Sequence, residues 1–147
     1  MGSRLIKTET IIKAPADRVW AEMTDFASFP SWNPFVREAS GTLQPGEQLK
    51  IRLQLDRMKM TFKPRVTVVD PGRELRWLAT LGRPGVFDVD RAFQIEPRDG
   101  GVLFVMSEEC TGWLTPVMFA TNLEAQLYRG YDAFNEALRK RTEQGMS

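Results

Sequence analysis

The sequence predicts an α+β protein: a curved antiparallel sheet of about seven strands wrapped around a long C-terminal helix, with two short helices after the first strand. Three observations carry this prediction. Segments that alternate apolar and polar residues crowd the middle of the chain, as half-buried strands do. One apolar stripe at helical spacing fills the C-terminal part. Between two long alternating segments lies Arg98-Asp99-Gly100-Gly101, and Asp-Gly in that setting is a strong hairpin signal.

Residues 4–12 read as the first strand, with Leu5 and Ile6 leading into alternating threonine and isoleucine. Ala14-Pro15 opens a helix through about Met23, because proline is tolerated in a first turn. Residues 25–29 form a short second helix that Pro30 stops. Trp32-Asn33-Pro34 then turns the chain, since a residue before proline is pushed out of the helical region. Leu49, Ile51, Leu53 and Leu55 alternate with polar residues as one strand. Residues 58–69 read as another, with Pro64 marking an edge position or a bulge. Glu74–Leu81 follows, its Leu75, Trp77, Ala79 and Leu81 facing one way. After Gly112 the period changes. Thr115 and Pro116 open a helix to about Thr142, with Ala120, Leu123, Leu127, Tyr131, Phe134 and Leu138 as its apolar stripe. Such a helix of ~27 residues spans roughly 40 Å, enough to cross a whole sheet.

The hairpin of residues 87–95 and 102–110 holds the sharpest signal. Pairing Arg98 with Gly101 sets Ile95 opposite Phe104, Phe93 opposite Met106, Arg91 opposite Glu108 and Val89 opposite Cys110. One face is then apolar except for a cross-strand ion pair. A charge on such a face must be paired or reach water, so the face is read as bordering a cavity with a polar patch.

Composition removes several functions. The 147 residues suit one domain, here 4–143. A net charge of +1, from 20 basic and 19 acidic residues, argues against nucleic-acid binding through a basic surface. No apolar run approaches the ~18 residues of a membrane span, and no secretory apolar region opens the chain, so a cytoplasmic location is the default. The chain has no histidine and one cysteine, Cys110. This excludes Ser-His-Asp and Cys-His catalysis within the chain, and imidazole or thiolate metal sites with them. Asp88 and Asp90 have i, i+2 spacing, which on a strand marks a solvent face more often than a metal site. No metal and no cofactor is expected. A homodimer is left open.

The chain resembles the helix-grip superfamily called SRPBCC, in its polyketide cyclase/dehydrase-like branch, which sits beside START-like lipid-transfer domains and the birch-pollen allergen family. The resemblance runs from about Ile6 to Leu138. It rests on residues 11–20 (IIKAPADRVW), residues 26–35 (FASFPSWNPF), Leu75-x-Trp77, and Glu108 through Gly112 with Pro116. It implies a helix-grip fold and binding of small molecules or lipids, with cyclisation or dehydration in only some members. Two positions depart from the pattern: Arg91 stands about where many bacterial relatives carry histidine, and Cys110 where they carry an aromatic. Arginine keeps its proton near neutrality and forks onto a carboxylate, which suits an anchor better than a base.

The first functional expectation is therefore a cofactor-free protein that holds a small hydrophobic or amphipathic ligand between sheet and long helix. Met60, Phe62, Trp77, Phe93, Met106, Leu123, Leu127 and Tyr131 would form the apolar wall. Phe26 and Trp32 would close its rim, and Arg91 and Glu108 would orient the ligand's polar end. Met118, like Met60 and Met106, suits a wall that adapts to variable shapes. The alternative is a polyketide cyclase or dehydratase in which Arg91 stabilises an enolate. Proton transfer by Glu108 fits less well, because a neighbouring guanidinium favours the ionised carboxylate. A second alternative is a protein-interaction module with a vestigial pocket.

Overall fold

The computed structural model describes residues 2–144. Strand β1 (Gly2–Ile12) leads into helix α1 (Ala16–Thr24), a single 3-10 turn (Phe26–Ser28) and helix α2 (Phe29–Trp32). Strands β2 (Val36–Ser40), β3 (Lys50–Leu55), β4 (Met58–Phe62), β5 (Arg65–Asp70), β6 (Glu74–Leu81), β7 (Phe87–Arg98) and β8 (Gly101–Gly112) follow. Helices α3 (Thr115–Met118) and α4 (Leu123–Gln144) complete the described chain.

The eight strands form two antiparallel sheets, ordered β1-β8-β7-β6-β5 and β2-β3-β4. Backbone bonds stitch them together: Leu49 N–H donates to the Pro64 carbonyl and Val66 N–H to the Glu47 carbonyl, each at 2.8 Å. The predicted strand over residues 58–69 is thus two strands, β4 and β5, in different sheets. Proline supplies the physical reason: Pro64 has no N–H for a ladder, while its carbonyl still serves the incoming chain. The bulge expected near it lies in β5, where the register shifts between Val66 and Val68.

The β7–β8 register is the predicted one, from Arg98 opposite Gly101 to Val89 opposite Cys110. The turn itself differs. Type I′ needs both central residues at positive φ, and of the pair only Gly100 has it, at 79°. Register here follows from the two-residue loop and from the parity of the flanking apolar residues.

Two helical expectations also change. Pro30 does not stop a helix but sits in the first turn of α2, where its missing N–H is harmless. The long C-terminal helix is interrupted after Met118 and restarts at Leu123, so Ala120 leaves the stripe and is exposed. Thr121 and Asn122 favour turns and helix starts, because their short side chains compete for nearby backbone groups. Thr121 Oγ1 donates to the Met118 carbonyl, and the Asn122 carbonyl accepts the Gln126 N–H. From Leu127 through Tyr131 and Phe134 to Leu138 the stripe is buried as read.

Helix α4 packs on β1, α1 and β3. Arg141 pairs with Glu22 of α1, and Asn135 Nδ2 donates to Thr8 Oγ1 of β1 at 2.8 Å. At one end of the core Phe93, Phe104 and Phe134 meet with ring centroids 6.0–6.4 Å apart, and Trp77 adds an edge-to-face contact with Phe93 at 5.1 Å. Rings pack most of that end and leave only a small interior space.

Candidate ligand-binding site

The other end of the core is not filled. Strand alternation sends same-parity residues to one face. Ile51, Leu53 and Leu55 of β3, Met60 and Phe62 of β4, and Trp77 and Ala79 of β6 therefore face a common space. Phe87, Val89 and Arg91 of β7, Glu108 of β8, Pro64, Met118 of α3, and Leu123 and Leu127 of α4 complete its wall. The space between atoms is about 580 Å³ with its open mouth included, of which about 50 Å³ admits the centre of a water molecule. It is a narrow cleft with an apolar lining.

Arg91 and Glu108 are the only charged residues in that lining, and each is 3 % exposed. Their neighbours explain why they turn on each other. Arg91 stands between Trp77 and Glu108 in the strand register, and Glu108 between Arg91 and Ile6. Arg91 Nε donates to Glu108 Oε2 at 3.0 Å, and Nη2 donates both to the same oxygen and to Tyr131 Oη at 3.1 Å. Nη1 makes no hydrogen bond to the protein among the described residues, and it is not among the fully buried orphaned polar atoms, so water in the cleft can reach it. Glu108 Oε1 receives the Cys110 thiol at 3.6 Å, and the Tyr131 hydroxyl also interacts with the Glu108 carboxyl. Aromatic rings grip the guanidinium from the helix side: Arg91 Cζ lies 5.4 Å from the Phe35 ring centroid and 5.1 Å from that of Tyr131.

Electrostatics fix the protonation of this group. Burial works against the Arg91 charge, but Glu108 and the Tyr131 hydroxyl outweigh it, and the net shift is upward. Burial pushes the Tyr131 phenol well above its ordinary value against the opposing pull of Arg91. It pushes the Cys110 thiol up as well, with Glu108 adding to the effect. At neutral pH the cluster is one cation, a neutral phenol and a neutral thiol around the Glu108 carboxyl. It donates hydrogen bonds and has no base of histidine type.

The structure brings Met60, Phe62, Trp77, Arg91, Glu108, Leu123 and Leu127 together around the cleft. Phe93, Met106 and Tyr131 do not line the cavity. Phe93 has the right parity but lies one step along the hairpin, among the packed rings, and Met106 is fully buried beside it. Tyr131 lies behind Arg91 and holds it. Phe26 borders a separate small interior space with Met23, Phe29 and Phe93, and Trp32 packs on Phe29 and Phe134. Asp88 and Asp90 are half-buried: Thr80 and Gly85 donate to Asp88, and Arg76 lies 3.4 Å from Asp90.

Several wall residues were missed. Phe87 and Val89 share the parity of Arg91, and Ile51, Leu53 and Leu55 share a strand face, so their signal was present. Phe35 and Gly130 were not legible as a pair. Gly130 lies in α4, and a Cβ added there would fall 2.5 Å from Phe35 Cε1. Its only sequence signal is a glycine inside a helix, which costs about 1 kcal/mol relative to alanine and so needs a reason.

Solved structures share this architecture. The Zhui aromatase/cyclase from Streptomyces sp. R1128 superposes with a TM-score of 0.80 at 19 % identity, covering 99 % of this chain and 97 % of the other. A START superfamily protein from Mycobacterium smegmatis gives 0.73 at 18 % identity over 97 % and 99 % of the two chains. Ara h 8.0201 gives 0.71 at 14 % identity, again over 97 % and 99 %. No curated protein sequence matches the chain. At these identities the likeness establishes the fold, α+β of the helix-grip type. Residues 4–143 match the profile of one family, and the chain belongs to that family, described as polyketide cyclase / dehydrase and lipid transport.

Proposed function

We propose that this protein binds a small hydrophobic or amphipathic molecule in the cleft between its sheet and its C-terminal helix, with the ligand's polar end on Arg91. One observation carries the reading: a buried guanidinium in an otherwise apolar wall keeps Nη1 without a protein partner. A ligand oxygen can replace the water that reaches this donor, and the apolar wall around it favours a ligand that brings its own apolar surface. Met60, Phe62, Trp77, Leu123 and Leu127 supply the apolar contacts, and Met60 and Met118 can repack around different shapes. The reading needs no cofactor, metal or nucleic acid and places the protein in the cytoplasm. Among the described residues no helix is long and apolar enough to cross a membrane.

The test is binding of the neutral dye N-phenyl-1-naphthylamine, followed by fluorescence, with mass spectrometry of gently purified protein for co-purified ligand. Ala79→Phe fills the cleft from its own wall and should weaken dye binding at least tenfold. Dye binding that is unchanged in that folded variant would place the dye elsewhere and sink the reading.

A cyclase or dehydratase activity is the second reading. It is supported by the same donor, which could stabilise an enolate oxygen formed from a bound ketone. Conversion of a poly-β-ketone substrate by the wild type, lost in an Arg91→Met variant that keeps the native circular dichroism spectrum, would establish it.

A further inference from the structure

We infer that the polar end of the ligand is uncharged, a ketone, hydroxyl or phenol, and that the site discriminates against carboxylates. This rests on the binding reading above and narrows it to one class. The cleft contains one positive and one negative side chain, Arg91 and Glu108, already in contact and together neutral. Every other group that faces the pair is uncharged. Trp77 stands beside it on β6, Ile6 on β1 and Cys110 on β8, while Tyr131 of α4 and Phe35 before β2 cover the guanidinium.

A neutral acceptor therefore gains one or two N–H donors from Nη1 while the buried charge stays at zero. A ligand hydroxyl can in addition donate to Glu108 Oε1, whose thiol bond from Cys110 is long and weak. A carboxylate meets a guanidinium that is already neutralised. Whether it adds to the pair or displaces Glu108, one negative charge is left in apolar surroundings without a partner, which is strongly unfavourable. It enters only by taking up a proton. Its affinity then falls about tenfold for each pH unit above its own pKa, by proton linkage.

The near-isosteric pair 2-acetylnaphthalene and 2-naphthoate tests this by calorimetric titration of the wild type between pH 6 and 8. The ketone should bind with pH-independent affinity. The naphthoate affinity should fall about a hundredfold from pH 6 to pH 8, with uptake of close to one proton, read from heats in two buffers of different ionisation enthalpy. Glu108→Gln frees the Arg91 charge and should reverse the order, so that naphthoate becomes the tighter ligand. If that variant does not fold, the wild-type comparison decides alone. Naphthoate that matches the ketone at pH 8 without proton uptake overturns the inference and leaves the binding reading standing. So does a ketone that fails to bind while the neutral dye still does. Failure of the dye as well overturns the binding reading, and this inference falls with it.

Discussion

Arg91 and Glu108 sit at the centre of a sheet with apolar neighbours on both sides, and neither is replaceable alone. Removing one partner of a buried pair leaves an uncompensated charge. Glu108→Ala should destabilise the protein by about 3–5 kcal/mol, whereas the joint replacement Arg91→Met with Glu108→Leu should cost far less. Urea unfolding of the two variants checks this; equal losses would mean that the pair is not the source of the cost. Gly130 makes the opposite point, a residue that matters by what it lacks. Helix propensity alone says that Gly130→Ala stabilises by about 1 kcal/mol. The Phe35 ring occupies the space that the new methyl needs, so overpacking wins and the variant should lose about 1–3 kcal/mol. In a Phe35→Leu background the same substitution should cost much less, and urea unfolding of all four combinations measures the coupling.

Elements were legible where one local rule governed them. Glu74–Leu81 has the predicted bounds, and the β7–β8 pairing follows from a short loop and parity. Breaks were harder, because they depend on what lies across the fold. Periodicity carries straight through Pro64, yet the chain changes sheets there. It also carries through residues 119–122, yet the helix stops and restarts. That second break falls between Met118 and Leu123, both in the cleft wall. A ligand larger than a few waters must displace these side chains, and the interruption is where the wall can yield. Bound neutral dye should therefore slow amide exchange over residues 118–123 and around the β3–β4 turn. The β7–β8 ladder should change little. Protection confined to the hairpin would contradict this.

At the scale of the whole molecule, two buried acids link stability to alkali. Burial raises the Tyr131 phenol and the Cys110 thiol above their ordinary values of 10.0 and 9.0. The folded state keeps protons that the unfolded chain releases. The stability contributed is complete below about pH 9 and is lost as pH rises through and beyond those values, at about 1.4 kcal/mol per pH unit for each group. Denaturant midpoints between pH 8 and 11 should fall accordingly, and Tyr131→Phe should flatten the slope above pH 10. An equal slope in that variant would refute the assignment. The fold class and the Arg91–Glu108 pairing were readable because alternation, one turn and one mismatched ion pair sufficed. Which apolar side chains face the cleft was not, because Phe93 and Phe87 have the same parity and only packing by Trp77 and Phe134 separates them.

The sole cysteine lies fully buried, its sulfur directed at Glu108. A thiol reagent reaches it only when β8 opens, so the rate of labelling is an intrinsic clock for excursions of the wall that carries the charged pair. A ligand seated on Arg91 should slow that clock, and occupancy could be followed with an ordinary colorimetric thiol assay and no engineered probe.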